Sequence, residues 1–448
     1  MEFSSMHVGT ESQEIERRTI RKATLRLIWC LLVLYLLNVV DRSNVGFAAL
    51  TMNKDLGLTS QMFGISIGAF YLGYILCEIP SNISFAKIGA RRSLARMAIG
   101  SGCLTILSAA AHSPLSFYAL RFFLGVAEAG YLPGIVLYIS YWFPNAYRAR
   151  INALFMLAIP LSYVVSSAAA APILALDGTW GVAGWKWLFI LEGIPAVAMG
   201  LFCLFYLTDS PHNAKWLSDE EKGWLVATLA RETVAEVSLS RGFWALLTNR
   251  VVLTSAAIYF ALNLGIVSLP YWLPTLARSY GLTNKEVSAV AALPPLVGAM
   301  AMLVWGRLSD RSGKRALHTG VALAVGASGW LVCALSNKPE WALSGLVFAA
   351  IGIFATYALS WTIPQTYLPK ESRPVAIAVV GVLGNIGGAT IPIVVGKLHD
   401  STGGFLAGFS IIAAGMAVAS LCSLWLYITM ERSLIAGVPA APRRGSPE

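Results

Sequence analysis

Four ionisable residues dominate the chemistry this sequence offers: Asp41, Arg42, Arg121 and Glu128. All four stand inside long apolar runs. An ionisable side chain at the centre of a bilayer costs about 3 kcal/mol or more, so it is retained for function by default. Arg121 and Glu128 are seven residues apart. On a helix that is two turns, which puts both on one face about 10 Å apart along the axis. They cannot bond to each other, so each needs a partner elsewhere. Asp41 and Arg42 are adjacent, about 100° apart around their helix, and face different neighbours. The economical arrangement pairs acid with base across these two segments. Such a pair has two states, because protonating the acid frees the arginine to take another anion. Coupled uptake of a proton and an anion needs that behaviour. Asp41 is expected to be the more tightly paired acid and Glu128 the main proton carrier. Glu78 and Glu192 lie close to the ends of their apolar runs and read as structural. Glu192 follows Trp185, Lys186 and Trp187, an interface belt.

Other chemistries lack their residues. No Gly-x-x-x-x-Gly-Lys-Ser/Thr loop exists to hold ATP phosphates. The five histidines (His7, His112, His212, His318, His399) fall in loops, tails or run ends and form neither a metal cluster nor a buried triad. All six cysteines lie in apolar stretches, not in the polar loops a disulfide framework would use. No cofactor is implied beyond protons as the coupling ion, and enzyme chemistry is not expected.

The elements that position these charges follow from composition. Of 448 residues, 56% are hydrophobic and 12% charged, about half the charged fraction of a soluble domain. Crossing the hydrocarbon core takes about 20 apolar residues, and lipid forces each such run to be helical. Twelve runs qualify: roughly 27–50, 60–82, 93–112, 116–140, 150–172, 186–208, 248–275, 284–306, 315–335, 341–364, 374–396 and 404–428. The polar stretch 209–247 divides them six and six. The expected fold is therefore an all-α membrane protein of twelve transmembrane helices in two six-helix, pseudo-symmetric halves. The parts are an amino tail (1–26), a first bundle (27–208), a central loop (209–247), a second bundle (248–428) and a carboxy tail (429–448).

Orientation follows from Lys and Arg. With both termini cytoplasmic, 25 of the 33 fall on the inner side, six on the outer side, and Arg42 and Arg121 within spans. This asymmetry accounts for the net charge of +10, and no nucleic-acid partner is needed. The 2–3 and 8–9 loops repeat each other. The second reads Gly306-Arg307-Leu308-Ser309-Asp310-Arg311-Ser312-Gly313-Lys314-Arg315. The first reads Asn82-Ile83-Ser84-Phe85-Ala86-Lys87-Ile88-Gly89-Ala90-Arg91-Arg92, with Asn82 and Ala86 in place of Gly and Asp. Two parallel repeats are a known transporter construction.

The full copy of this loop resembles the loop motif of the major facilitator superfamily. Further stretches narrow the likeness: Asp41-Arg42-Ser43-Asn44, Gly73-Tyr74 through Glu78-Ile79-Pro80, Arg121 through Gly125 to Glu128, and Tyr141-Trp142-Phe143-Pro144 with Arg148 and Arg150. Together they resemble the anion:cation symporter family and its tartrate, phthalate and hydroxyphenylacetate permeases. The resemblance implies a proton-coupled symporter of a small organic carboxylate, monomeric, in a bacterial inner membrane. It implies that Asp41 and Glu128 couple protons, that Arg42, with Arg121, meets the substrate carboxylate, and that Tyr74, Ser360, Trp361 and Asn385 line the cavity. It also makes Gly306, Asp310, Arg311, Gly313 and Arg315 a cytoplasmic loop latch, and the missing Asp puts the first-half latch in doubt. An uncoupled facilitator or anion antiporter of the same fold remains the alternative.

Overall fold

The computed structural model describes residues 2–232, 248–368 and 372–431. The remainder of the central loop, Lys370 in the 10–11 loop and the tail beyond 431 lie outside them. Regular structure among the described residues is helical throughout. Eleven helical stretches there are long and apolar enough to cross a membrane. The run at 93–112 is the helix Ala90–Ser108, whose first turns carry Arg91, Arg92 and Arg96. Those arginines dilute its apolar character, which is why it falls outside the eleven although a twelve-helix fold needs it.

The chain forms two compact units, Met1–Leu58 with Ile65–Glu236, and Thr59–Gly64 with Val237–Glu448. In the first unit the amino helix α1 (Glu2–Ala23) runs through a π turn at Thr24–Ile28 into α2 (Trp29–Ser43). Then come α3 (Val45–Leu56), α4 (Ser60–Ile88), α5 (Ala90–Ser108), α6 (Pro114–Glu128) and α7 (Tyr131–Trp142). The unit is completed by α8 (Asn145–Met156), α9 (Ala158–Leu174), α10 (Gly184–Tyr206) and a short polar helix, α11 (Asp219–Arg231). The second unit holds α12 (Arg250–Ser279), α13 (Asn284–Ser312), α14 (Arg315–Leu335), α15 (Pro339–Ser360), α16 (Thr362–Tyr367), α17 (Arg373–Thr402) and α18 (Leu406–Leu426). The first turn of α4 belongs to it as well: the Ser60 and Gln61 amides donate to the Asp400 carboxylate at 2.9 and 2.8 Å.

Lipid gives no hydrophobic drive for helices to associate, so close approach of backbones must supply contact instead. Glycines provide it. Gly73 and Gly125 bring α4 against α6 so closely that a Cβ at either would collide with a backbone carbonyl, of Phe122 or Phe70. Gly102 and Gly193 do the same for α5 and α10, and Gly329 and Gly345 for α14 and α15.

Four of the expected single spans are interrupted. The first divides at Asn44, the fourth at Ala129–Gly130, the fifth at Leu157 and the tenth at Trp361. Gly130 takes φ +82°, the left-handed region open to glycine. Asn44, Leu157 and Trp361 keep right-handed helical φ/ψ, so the helix direction continues through them. The backbone leaves the helical region at Ala129–Gly130, directly after the candidate site residue Glu128; such backbone at membrane depth is tolerated where it is buried in protein or lines a cavity.

Candidate functional site

The first unit gathers the four charges. The Arg42 Nε donates to Glu128 Oε2 at 2.5 Å, and the Glu128 side chain is 0% exposed. α2 and α6 both end beside this pair, at Ser43 and Glu128. The pairing of acid with base across spans one and four is present, but the expected ranking of the acids is reversed. Glu128 holds the ion pair. Asp41, 3% exposed, makes none among the described residues; its Oδ2 accepts a hydrogen bond from the Thr105 hydroxyl and its Oδ1 has no partner. The reason is angular: Arg42 points to α6, so Asp41, a third of a turn away, points to α5. Thr105 has one proton to give, and the Ser101 carbonyl, at 3.0 Å, is its alternative acceptor.

Of the two arginines expected to meet the substrate, Arg42 is engaged by Glu128. Arg121 is 1% exposed, forms no ion pair among the described residues, and leaves Nε and Nη2 without a hydrogen-bond partner. Its guanidinium carbon sits 4.9 Å from the centre of the Phe70 ring, and that of Arg42 lies 5.1 Å from the same ring. One buried aromatic on α4 thus serves two cations, each stabilised by the ring quadrupole. Tyr74, one turn on, is 5.2 Å from Arg42 and packs beside Phe70. Nothing in the spacing of apolar residues distinguishes Phe70 from an ordinary core phenylalanine.

A polar chain lies next to this cluster. At the α2 break, the Asn44 amide donates to Glu192 on α10 and accepts from the Ser166 hydroxyl on α9. Glu192 is 9% exposed and belongs to this buried network rather than to a span end. Asn44 and Ser166 carry no charge, so the sequence offered no signal for them beyond polarity.

In the second unit, Ser360 ends α15 with its hydroxyl on the Tyr357 carbonyl at 3.2 Å. Trp361 forms the joint and packs its ring 4.7 Å from Tyr259. Gly384 lies against the same tyrosine, whose ring a Cβ there would strike, and half-buried Asn385 follows it on α17. Tyr259 is therefore the common neighbour of these α15–α17 positions. In the 8–9 loop Asp310 binds Arg315 at 2.8 Å, and Gly313 ends α13 at φ +68°. Gly306 and Arg311 make no contribution to that pair. In the first-half loop the missing acid is supplied from elsewhere. Asp209, at the start of the central segment, accepts from the Arg91 amide at 2.9 Å and lies 3.8 Å from the Arg91 Nε.

Membrane-crossing helices that carry buried, partly unpaired charges are the build of a multi-pass membrane protein with a polar site inside it. The chain belongs to the Major Facilitator Superfamily, whose family model matches residues 31–392, and the family makes it a transporter. A candidate tartrate transporter of Agrobacterium vitis is 40% identical over 93% of this chain and 96% of its own length. A quinolone resistance transporter of Acinetobacter baumannii is 35% identical over 94% of this chain and 97% of its own. Among solved structures, the partially occluded, inward-open xylose transporter XylE of E. coli superposes with a TM-score of 0.72 at 14% identity. That match covers 91% of this chain and 98% of XylE. At such identity the likeness concerns the fold alone.

Proposed function

We propose that this protein is a secondary transporter that carries a small organic anion into the cell together with protons, by alternating access. The observation that supports it best is Arg121: a cation buried in a membrane span, facing two donors to no acceptor, next to an ion pair that a proton can open. A carboxylate supplies the two acceptors that a planar guanidinium fits. The relatives named for tartrate transport favour a tartrate-like dicarboxylate, a sugar acid or an aromatic carboxylate.

The arrangement supports coupling. Asp41 takes a proton without breaking an ion pair, and Thr105 then turns to the Ser101 carbonyl. Glu128 takes a proton only by giving up Arg42. Once released, Arg42 joins Arg121 in holding the anion, so anion and proton stabilise the same state. When the proton leaves, Glu128 reclaims Arg42 and the anion is expelled. In this reading both termini face the cytoplasm of a bacterial inner membrane and the transporter works as a monomer.

The relative named for quinolone resistance favours a second reading, exchange or export on the same fold. One experiment separates the two. The purified protein in liposomes is offered tartrate, a hexonate and a hydroxyphenylacetate, with and without an inward proton gradient. Accumulation that depends on the gradient supports symport and identifies the substrate class. Equilibration without accumulation refutes coupling, and Asp41 and Glu128 then become structural or substrate-binding charges.

A further inference from the structure

Where the amino helix leads into α2 lies a second cationic feature. An open groove of about 360 Å³ is lined by Lys22, Leu25, Arg26, Tyr206 and Trp216. The Arg26 guanidinium is clamped between two rings, 4.6 Å from the centre of Tyr206 and 5.3 Å from that of Trp216. Arg26 makes no ion pair among the described residues, and its buried Nε has no hydrogen-bond partner. Lys22 is already committed, at 2.7 Å from Glu221, a carboxylate that also holds Arg18. The groove's uncommitted charge is therefore that of Arg26.

The walls are fixed by other contacts. Trp216 stacks on Trp142 with ring centres 5.2 Å apart. Tyr206 stacks on Phe202 at 4.7 Å and accepts from the Trp29 indole at 3.2 Å. The groove does not need to order its side chains to bind, so little affinity is lost to reorganisation.

Its place in the fold says what it binds. The polar amino segment ends at Arg26 and the apolar span begins at Leu27, so the groove lies at the junction of headgroup and hydrocarbon. Tyr206 closes α10 at the same level, and aromatic rings prefer that level. Apolar side chains continue outward from it: Leu25 is 65% exposed, Trp29 43%, Phe202 40% and Phe205 88%. A soluble anion has no use for such a surface. A lipid uses both parts, its phosphate on Arg26 and its acyl chains along Trp29 and Phe205.

We propose that this groove is a binding site for an anionic phospholipid of the leaflet on that side, with the phosphate held by Arg26. The full-length protein is purified in detergent and examined by native mass spectrometry with phosphatidylglycerol, phosphatidylcholine or glycerol phosphate. Phosphatidylglycerol adducts should outnumber those of phosphatidylcholine, and millimolar glycerol phosphate should not displace them. Arg26→Gln should cut phosphatidylglycerol retention about fivefold, the effect of one basic residue at a membrane surface. Lys186→Gln, at the other end of α10 from Tyr206, should leave it unchanged. Arg26→Lys keeps the charge and should retain more lipid than Arg26→Gln, which keeps the test open if the glutamine variant folds poorly. Equal retention of the two lipids, or of phosphatidylglycerol by wild type and Arg26→Gln, overturns the proposal. Displacement by glycerol phosphate overturns the lipid and leaves a site for soluble phosphate.

Discussion

Replacing Arg121 by Met separates a binding cation from a structural one. The side chain is 1% exposed, and its Nε and Nη2 lack protein partners. A hydrogen bond to a charged group contributes about 1.5–3 kcal/mol. Losing that much from the bound anion weakens affinity roughly 10- to 150-fold, since about 1.4 kcal/mol is tenfold. Stability should move the other way. Met keeps the length and apolar stem and removes a buried charge that no carboxylate offsets, so the melting temperature holds or rises. Arg42→Met is the control. It leaves the Glu128 carboxylate, 0% exposed, without the one cation paired with it among the described residues, and breaking a buried pair in this way costs about 3–5 kcal/mol. The assays are thermal unfolding in detergent and the KM for uptake into liposomes. If Arg121→Met melts as low as Arg42→Met and its KM is unchanged, Arg121 is a structural cation and the substrate reading fails.

Three further outcomes follow from the same geometry. Glu128→Gln keeps the shape but carries no proton and no charge, so pH-driven accumulation should vanish while anion exchange across the membrane persists; loss of anion binding itself would count against the coupling role. Gly130→Ala forces a Cβ into the left-handed region at φ +82°, 3.0–3.1 Å from Asn82 and Ser81 side-chain atoms; a loss of about 1–2 kcal/mol is expected, read as a lower melting temperature with slower uptake. At Glu221, burial pushes the carboxyl up, but hydrogen bonds from Lys22, Ser218 and Arg18 outweigh it and hold it at about 2, below its ordinary 4.5. Its contribution to docking α1 on α11 is therefore complete above about pH 4.5 and lost as pH falls toward 2. Hydrogen exchange of residues 13–23 should be low and flat from pH 8 to 5 after correction for intrinsic rates, and raised at pH 7 by Glu221→Gln; a Gln variant that protects equally removes the ion pairs from the account.

The sequence made the helices legible because lipid leaves a chain few alternatives. An apolar run of about 20 residues must be a helix whatever surrounds it, and the repeated basic loops then fix the halves. The breaks were less legible than the spans. Ala90–Ser108 is a helix although it starts on three arginines; the interruption at Asn44 follows the polar Asp41-Arg42-Ser43, and the one at Ala129–Gly130 lies among small residues that hydropathy does not single out. A seven-residue spacing correctly set Arg121 and Glu128 on one helix face. It carried no information about which cation lies across from that face, because partner choice depends on how α2 is rotated against α6. Arg42 and Asp41 differ by one residue, so a rotation of about 100° exchanges their neighbours. That small angle decides which acid holds the ion pair and which arginine is left without one. The same angle carries the proposed coupling: with Arg42 turned to Glu128, the Glu128 carboxylate and the anion compete for a single guanidinium, and a proton on Glu128 leaves it to the anion. Had Asp41 faced α6 instead, two acids would meet, Arg42 would stand free, and an anion could bind without any proton moving.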